Sequence, residues 1–91
     1  MPRKRTRIDI IGDMLTSIQN KGGRIKPTHL MYSSNLSHEQ MCSYLEELIE
    51  KNFVEKIKNE RNYEYIIITG NGSSFLEKLH EIKEFEKTFG L

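Results

Sequence analysis

The feature that most constrains the fold is a short helical pattern, a tight turn and a longer helical pattern in succession, within residues 25–51. Pro27 suits the first turn of a helix, because the N–H group that proline lacks would have no partner there. Asn35 marks the turn. Ser37, with Gln40 three residues later, forms a capping box that begins the second helix. This succession predicts a helix-turn-helix.

The sequence on either side of this motif predicts a first helix and a hairpin. Apolar residues recur at helical spacing from Ile8 to Ile18, which predicts an inward face that includes Ile8, and two consecutive glycines end the pattern. After the motif, β-rich runs at residues 53–58 and 63–68 are separated by a polar turn. Three helices followed by a β-hairpin is the order of a winged helix-turn-helix. The predicted fold class is therefore α+β, with the hairpin as the wing.

A long C-terminal helix is predicted after Thr69, which suits an N-cap position. Its first half is expected to pack on the domain. Its apolar stripe extends beyond what so small a domain can cover, which predicts a coiled-coil contact with a second copy of the chain. The residues predicted to form this homodimer contact are Leu79, Ile82, Phe85 and Phe89. The alternative is a helix folded entirely onto its own domain.

The charges are unevenly placed, although the formal net charge is only +1. Basic residues concentrate near the N-terminus, at the start of the second helix and on the hairpin, where they can hold DNA phosphates. The third helix, residues 38–51, is expected to enter the major groove of double-stranded DNA and read base edges. The predicted DNA-binding residues are Arg3, Lys4, Arg5, Arg7, Lys26, Thr28, His38, Gln40, Ser43, Lys58 and Arg61.

The third helix is nevertheless acidic overall, and carboxylates that face phosphates oppose DNA binding. Its acidic residues are Glu39, Glu46, Glu47 and Glu50. The alternative function is therefore a winged helix used as a protein–protein interaction module, in which the acidic third helix meets a basic partner. The two hypotheses differ in whether the basic residues of the hairpin matter for binding.

The length of 91 residues corresponds to one small domain with a single core. We divide the chain into a basic N-terminal arm (residues 1–7), a winged helix-turn-helix domain (8–69) and a C-terminal dimerisation helix (70–91). No run approaches the ~20 apolar residues of a membrane span. The single cysteine, Cys42, cannot form an internal disulfide. We expect a cytoplasmic, chromosome-associated protein without a membrane partner.

Other chemistry has little support in the sequence. His38 and Cys42 lie one helical turn apart, but no second His or Cys pair completes a metal site. The same pair lacks a third group to orient it as a nucleophile. We therefore expect no catalytic residues, no metal and no cofactor, and we interpret the chain as a binding protein and not an enzyme.

A family resemblance extends over nearly the whole chain. The residues that carry it are the run Ile-Asp-Ile-Ile-Gly-Asp-Met-Leu near the start, the run from Lys26 to Tyr32, the turn Asn35-Leu36-Ser37 and the run from Tyr44 to Leu48. Together they resemble the small archaeal winged-helix proteins, which include the ten-kilodalton chromosomal DNA-binding proteins of Sulfolobus and many predicted transcriptional regulators.

The resemblance implies a winged helix that binds DNA and whose long last helix pairs in an antiparallel coiled coil. The chain departs from the family pattern in two ways. Cys42 and Ser43 stand where lysines are common in the family, which favours a sequence-specific transcriptional regulator over a protein that compacts DNA. The last helix is also short for the family, which predicts a dimer contact of fewer turns.

Overall fold

The computed structural model describes residues 5–90. Four helices and three strands follow one another as α1 (Arg7–Asn20), β1 (Arg24–Ile25), α2 (Pro27–Ser33), α3 (His38–Glu50), β2 (Val54–Lys58), β3 (Glu64–Ile68) and α4 (Gly70–Thr88). The strands form one antiparallel sheet in the order β1-β3-β2, so the central strand is the second strand of the wing. The architecture is the predicted α+β arrangement with one additional strand.

Capping residues set where the helices begin. The hydroxyl of Thr6 accepts a hydrogen bond from the N–H of Asp9, and the Asp9 carboxylate accepts one from the N–H of Thr6, which begins α1. The predicted capping box of α3 is present, with Ser37 and Gln40 exchanging the equivalent pair of bonds at 3.0 and 3.1 Å. Thr69 caps α4, as predicted.

Strand β1 was not predicted, because two residues are too few to show an alternating pattern. Arg24 pairs with Ile67 and Ile25 pairs with Ile66 across the antiparallel ladder. The backbone reaches this position through Gly23, whose φ of +91° is strained for a residue with a side chain. Its carbonyl oxygen accepts a hydrogen bond of 3.0 Å from the N–H of Ile68. The link between α1 and α2 is thereby attached to the wing.

The core lies between the helices and one face of the sheet. Its buried apolar residues are Ile10, Ile11, Met14, Leu15, Ile18, Ile25, Leu30, Leu36, Met41, Leu45, Leu48, Val54, Ile66, Leu76 and Leu79. Leu36, in the turn between α2 and α3, is one of them. Ile8 is not in the core: it is 42% exposed, because it lies in the first turn of α1 outside the stripe that begins at Ile10.

The first half of α4 packs on α1, where a Cβ atom placed on Gly12 would lie only 2.8 Å from a methyl group of Leu79. Leu79 is 8% exposed and belongs to the core. Its predicted role at the dimer contact was therefore wrong, because its side chain is already covered by its own domain. Ile82, Phe85 and Phe89 lie further along α4 and are 56%, 59% and 66% exposed.

Within residues 5–90, no helix combines the length and the apolar character needed to cross a membrane.

Candidate nucleic-acid interface

The predicted basic arm only partly falls within the structure, since Arg3 and Lys4 lie outside the described residues. The guanidinium group of Arg5 is engaged by the protein itself. It donates to the carbonyl oxygens of Ser34 and Asn35, at 2.7 and 2.9 Å, and to the carboxylate of Asp13 at 3.0 Å. Arg5 therefore ties the start of the chain to the turn between α2 and α3, and its hydrogen-bonding groups are largely occupied.

Arg7 also contacts the domain and does not extend from it. It begins α1 and forms an ion pair with Glu47 of α3. Glu47 is partly buried at this contact, so its carboxylate faces α1 and does not add to the exposed negative charge of α3. One of the four acidic residues of α3 is thus paired with a cation at the contact between α1 and α3.

The entrance to α2 lies beside the stem of the wing. Lys26 is the N-cap residue of α2 and is exposed, as is Thr28 in the first turn. The ammonium group of Lys26 lies 5.7 Å from the centre of the Tyr63 ring, where a cation is attracted by the ring face. Tyr63 directly precedes β3 and is 55% exposed. The aromatic ring therefore joins the basic start of α2 to the hairpin.

The wing has exposed charges of both signs, since the cations Lys56, Lys58 and Arg61 are accompanied by Glu55 and Glu60. Lys58 ends β2 and Arg61 lies in the tip of the hairpin. The side-chain oxygen of Asn59 accepts hydrogen bonds of 3.0 Å from the N–H groups of both Arg61 and Tyr63, which shapes the tip. Asn62 completes the turn with a φ of +66°, a conformation that asparagine tolerates better than most residues. The tip is thus an ordered turn that presents Arg61.

The N-terminal half of α3 exposes the three residues predicted to read bases. His38, Gln40 and Ser43 are all exposed. Gln40, however, uses its side-chain oxygen to accept the N–H of Ser37 in the capping box. Bidentate recognition of adenine needs both the oxygen and the amide nitrogen of a glutamine, so base reading by Gln40 competes with the cap.

Exposed acidic residues remain on α3 at Glu39, Glu46 and Glu50. Two of them lie in its C-terminal half, beyond Ser43. The first half of the helix exposes one carboxylate, Glu39, beside the polar residues His38 and Ser43, whereas the second half exposes two, Glu46 and Glu50. The first half is therefore the better suited of the two to contact a negatively charged duplex.

His38 and Cys42 meet as their spacing predicts, with the Cys42 sulfur 3.7 and 3.9 Å from the two ring nitrogens of His38. Within residues 5–90, no group of three or more His, Cys, Asp or Glu side chains converges as a metal site would require. The pair is a local contact in the first turns of α3.

Two contacts at this surface were missed from the sequence. Besides Lys26 on Tyr63, the guanidinium carbon of Arg24 lies 4.6 Å from the centre of the Tyr65 ring. Both pairs depend on β1, since pairing with β3 brings residues 24–26 beside the wing. In the sequence, two cations alternate at positions 24 and 26 and two tyrosines alternate at positions 63 and 65. This spacing predicts a shared face only when β1 and β3 are known to be neighbours.

Three known proteins illustrate what the chain is similar to. An uncharacterized protein of Methanocaldococcus jannaschii is 30% identical over 79 residues, which are 87% of this chain and 34% of that protein. The chain thus spans about a third of that relative's length. Sso10a-2, a DNA-binding protein from Sulfolobus solfataricus, has 17% identity and a TM-score of 0.73, covering 94% of this chain and 90% of its own.

F93 from STIV, a winged-helix DNA-binding protein, has 20% identity and a TM-score of 0.75, covering 93% of this chain and 95% of its own. At these identities the solved structures show a common fold. A family model described as winged helix-turn-helix matches residues 4–87. The match confirms the predicted fold class, and Sso10a-2 and F93 agree with the resemblance to archaeal winged-helix proteins. The chain therefore belongs to the winged helix-turn-helix family.

Proposed function

We propose that this protein binds double-stranded DNA and regulates transcription, with the N-terminal half of α3 in the major groove. The observation that carries the proposal is the position of Lys26, whose exposed ammonium group joins the start of α2 to the hairpin by lying over the ring of Tyr63. Lys58 and Arg61 are exposed at the other end of β2 and at the tip of the same hairpin. These three cations flank the helix-turn-helix, where phosphates of a bound duplex would lie.

The fold supports the same function. Sso10a-2 and F93, which share this fold over nearly their whole length, are DNA-binding proteins. Helix-turn-helix proteins place the first turns of the second helix against base edges and use flanking groups on the phosphates. Here the first turns of α3 expose one carboxylate, Glu39, fewer than the two that the C-terminal half exposes.

In this proposal the contacts divide into two kinds. His38 and Ser43 reach base edges, and Gln40 joins them through its amide group while its oxygen keeps the cap. Lys26, Thr28, Lys58 and Arg61 bind phosphates and fix the register, with Arg3 and Lys4 adding further phosphate contacts. Arg5 and Arg7 act indirectly, because their charged groups hold the turn and α3 in place.

We further propose that two copies associate through the exposed end of α4. Ile82, Phe85 and Phe89 are each more than half exposed, and the rings of Phe85 and Phe89 lie 4.7 Å apart. The ion pair between Asp9 and Lys83, at 3.1 Å, joins the first turn of α1 to α4 at the start of this exposed end. A dimer would double the phosphate contacts or read paired half-sites.

The experiment that tests DNA binding is fluorescence anisotropy with a labelled mixed-sequence duplex at several salt concentrations. The proposal predicts binding that weakens steeply with salt. The double variant Lys58→Ala/Arg61→Ala is expected to reduce the salt slope by about 2, since each lost phosphate contact removes about one unit. A matched control, Lys78→Ala/Lys87→Ala, removes the same charge from α4 and should leave the slope unchanged.

Equal effects of the two double variants would contradict the placement of the wing, because they would show a dependence on net charge alone. No binding by the folded protein at low salt would contradict the proposal as a whole.

The exposed carboxylates Glu39, Glu46 and Glu50 favour a second candidate function, in which α3 binds a basic protein partner. A lysine-rich peptide would then bind, and Glu46→Gln/Glu50→Gln would weaken it. The same double variant is expected to strengthen duplex binding under the first proposal, since it removes repulsion. Stronger duplex binding by this variant would therefore favour the first function, and weaker peptide binding without any duplex binding would favour the second.

A further inference from the structure

The outer face of the sheet carries aromatic and basic residues that, apart from Lys26, have no role in the proposed duplex contact. The inner face is buried against the helices through Ile25, Val54 and Ile66. Because side chains alternate along a strand, residues 63, 65 and 67 lie on the opposite face. Across the ladder, Ile57 pairs with Tyr65, and Ile67 pairs with Arg24 of β1 on one side and with Glu55 of β2 on the other, so these side chains share that outer face. The cations thus lie on the β1 side of the face and the one carboxylate of these pairs lies on the β2 side.

Two cation–ring pairs form a line on this face, which we name the outer row: Arg24, Lys26, Tyr63 and Tyr65. The guanidinium carbon of Arg24 lies 4.6 Å from the centre of the Tyr65 ring, and the ammonium nitrogen of Lys26 lies 5.7 Å from that of Tyr63. Both cations are exposed, and neither makes an ion pair with an acidic residue among residues 5–90. Their charges are thus available to a ligand.

The outer row also leaves apolar surface in solvent. Tyr63 is 55% exposed and Ile57 is 38% exposed, while Tyr65 and Ile67 are half-buried. Two rings at alternate residues of a strand stand about 7 Å apart. A ligand that fits must offer flat apolar groups at intervals of this order, and negative charges between them for Arg24 and Lys26.

We propose that the outer row binds single-stranded DNA, with bases stacked on Tyr63 and on the guanidinium plane over Tyr65, and phosphates held by Lys26 and Arg24. Aromatic rings beside cations are the means by which proteins bind single strands without reading their sequence. An acidic peptide would match the cations but would leave the rings without planar partners. A duplex hides its base faces, so it offers only phosphates to this surface.

The choice of DNA as the strand rests on the proposed function, because Lys26 is shared with the duplex surface. A strand released where a duplex opens beside α3 would meet the outer row through this residue. We therefore expect substitutions in α3 or the wing tip to weaken binding of the duplex alone. Substitutions of the two tyrosines are expected to weaken binding of the single strand alone.

The test is fluorescence anisotropy of the full chain with a labelled oligothymidine of about 12 nucleotides, a length within the usual site range, and with a duplex in parallel. Tyr63→Ala is expected to weaken oligothymidine binding by roughly tenfold, and Tyr63→Phe to preserve it, because the ring is kept. Tyr32→Ala is the matched control: Tyr32 is 73% exposed at the end of α2, and its loss should have no effect. Circular dichroism verifies that each variant is folded.

Absence of oligothymidine binding by a protein that binds the duplex would overturn this inference and leave the proposed function standing. Equal loss in Tyr63→Ala and Tyr32→Ala would also overturn it. Oligothymidine binding that depends on the Tyr63 ring, in a protein that does not bind the duplex, would support the outer row and contradict the proposed function.

Discussion

At the scale of single residues, the largest difference between sequence and structure concerns the arginines near the N-terminus. The sequence shows Arg5 and Arg7 as members of a basic run, and a run of like charges predicts a solvated arm. Their partners are distant in sequence: Ser34 and Asn35 for Arg5, and Glu47 for Arg7. Contacts between residues so far apart in sequence leave no local pattern, so the structural role of Arg5 and Arg7 could not be predicted.

Arg5 provides a stability prediction. Arg5→Ala should lower the free energy of unfolding by roughly 1–3 kcal/mol, since it removes charged hydrogen bonds to two carbonyl groups of the turn. Arg5→Lys should recover only part of this, because one ammonium group cannot reproduce the planar fork of a guanidinium. Urea denaturation measures both. Arg61→Ala, at the exposed wing tip, is the control and should leave stability nearly unchanged; an equal loss there would contradict the assignment.

Asp9 provides a pH prediction. Hydrogen bonds from the backbone and hydroxyl of Thr6, together with the Lys83 ammonium group, lower the pKa of Asp9 from 3.8 to about 2. A lowered pKa means that the folded state favours the charged form, so its stabilising effect is present above pH 3.8 and is lost as pH falls towards 2. Asp9→Asn should therefore destabilise the protein at pH 7 and have less effect near pH 2. Unfolding measured at both pH values tests this, and an equal effect at both would contradict it.

At the scale of the elements, local signals predicted most of the fold. The capping box at Ser37 and Gln40 and the turn at Asn35, with a φ of +55°, are where the sequence placed them. These features act within a few residues, which is why they can be read without a structure. Strand β1 exists only because β3 lies beside it, so its two residues carry no signal of their own.

The packing of α4 against Phe53, the residue that precedes β2, gives a prediction that uses two glycines of one helical turn. A Cβ atom at Gly72 would overlap the carbonyl oxygen of Phe53, whereas one at Gly70 would meet nothing within 4 Å. Gly72→Ala should therefore destabilise the protein by about 1–3 kcal/mol, the usual range for overpacking. Gly70→Ala is the control and should be neutral or slightly stabilising. Thermal denaturation compares them, and equal melting temperatures would show that the helix shifts freely.

At the scale of the whole molecule, the proposed dimer predicts opposite behaviour for two apolar positions on α4. Phe85 is 59% exposed, so Phe85→Ser should abolish association while the protein remains folded. Leu79 is buried, so Leu79→Ala should lower stability by about 2–5 kcal/mol through the cavity it leaves. Sedimentation equilibrium measures the first effect and urea denaturation the second. A wild-type protein that is monomeric at high concentration would contradict the dimer.

The whole-molecule charge explains why the binding surface was only partly predictable. A net charge of +1 does not identify a ligand. From the sequence, basic residues could be predicted to bind DNA only from their positions near the N-terminus, the second helix and the hairpin. In the folded protein Arg5 and Arg7 are engaged within the domain, while Lys26, Lys58 and Arg61 are exposed and Lys26 lies over the Tyr63 ring. The distinction depends on contacts between distant segments and follows only from the fold.

The measurement that tests the proposed function most directly is a map of backbone amide shifts by nuclear magnetic resonance, as a short DNA duplex is added to the labelled protein. We predict the largest shifts in the first turns of α3, at the entrance to α2 around Lys26 and at the wing tip around Arg61. Small shifts are expected at Glu46, at Glu50 and along α4. Shifts centred on the C-terminal half of α3 or on α4, or none at all, would contradict DNA recognition by this surface.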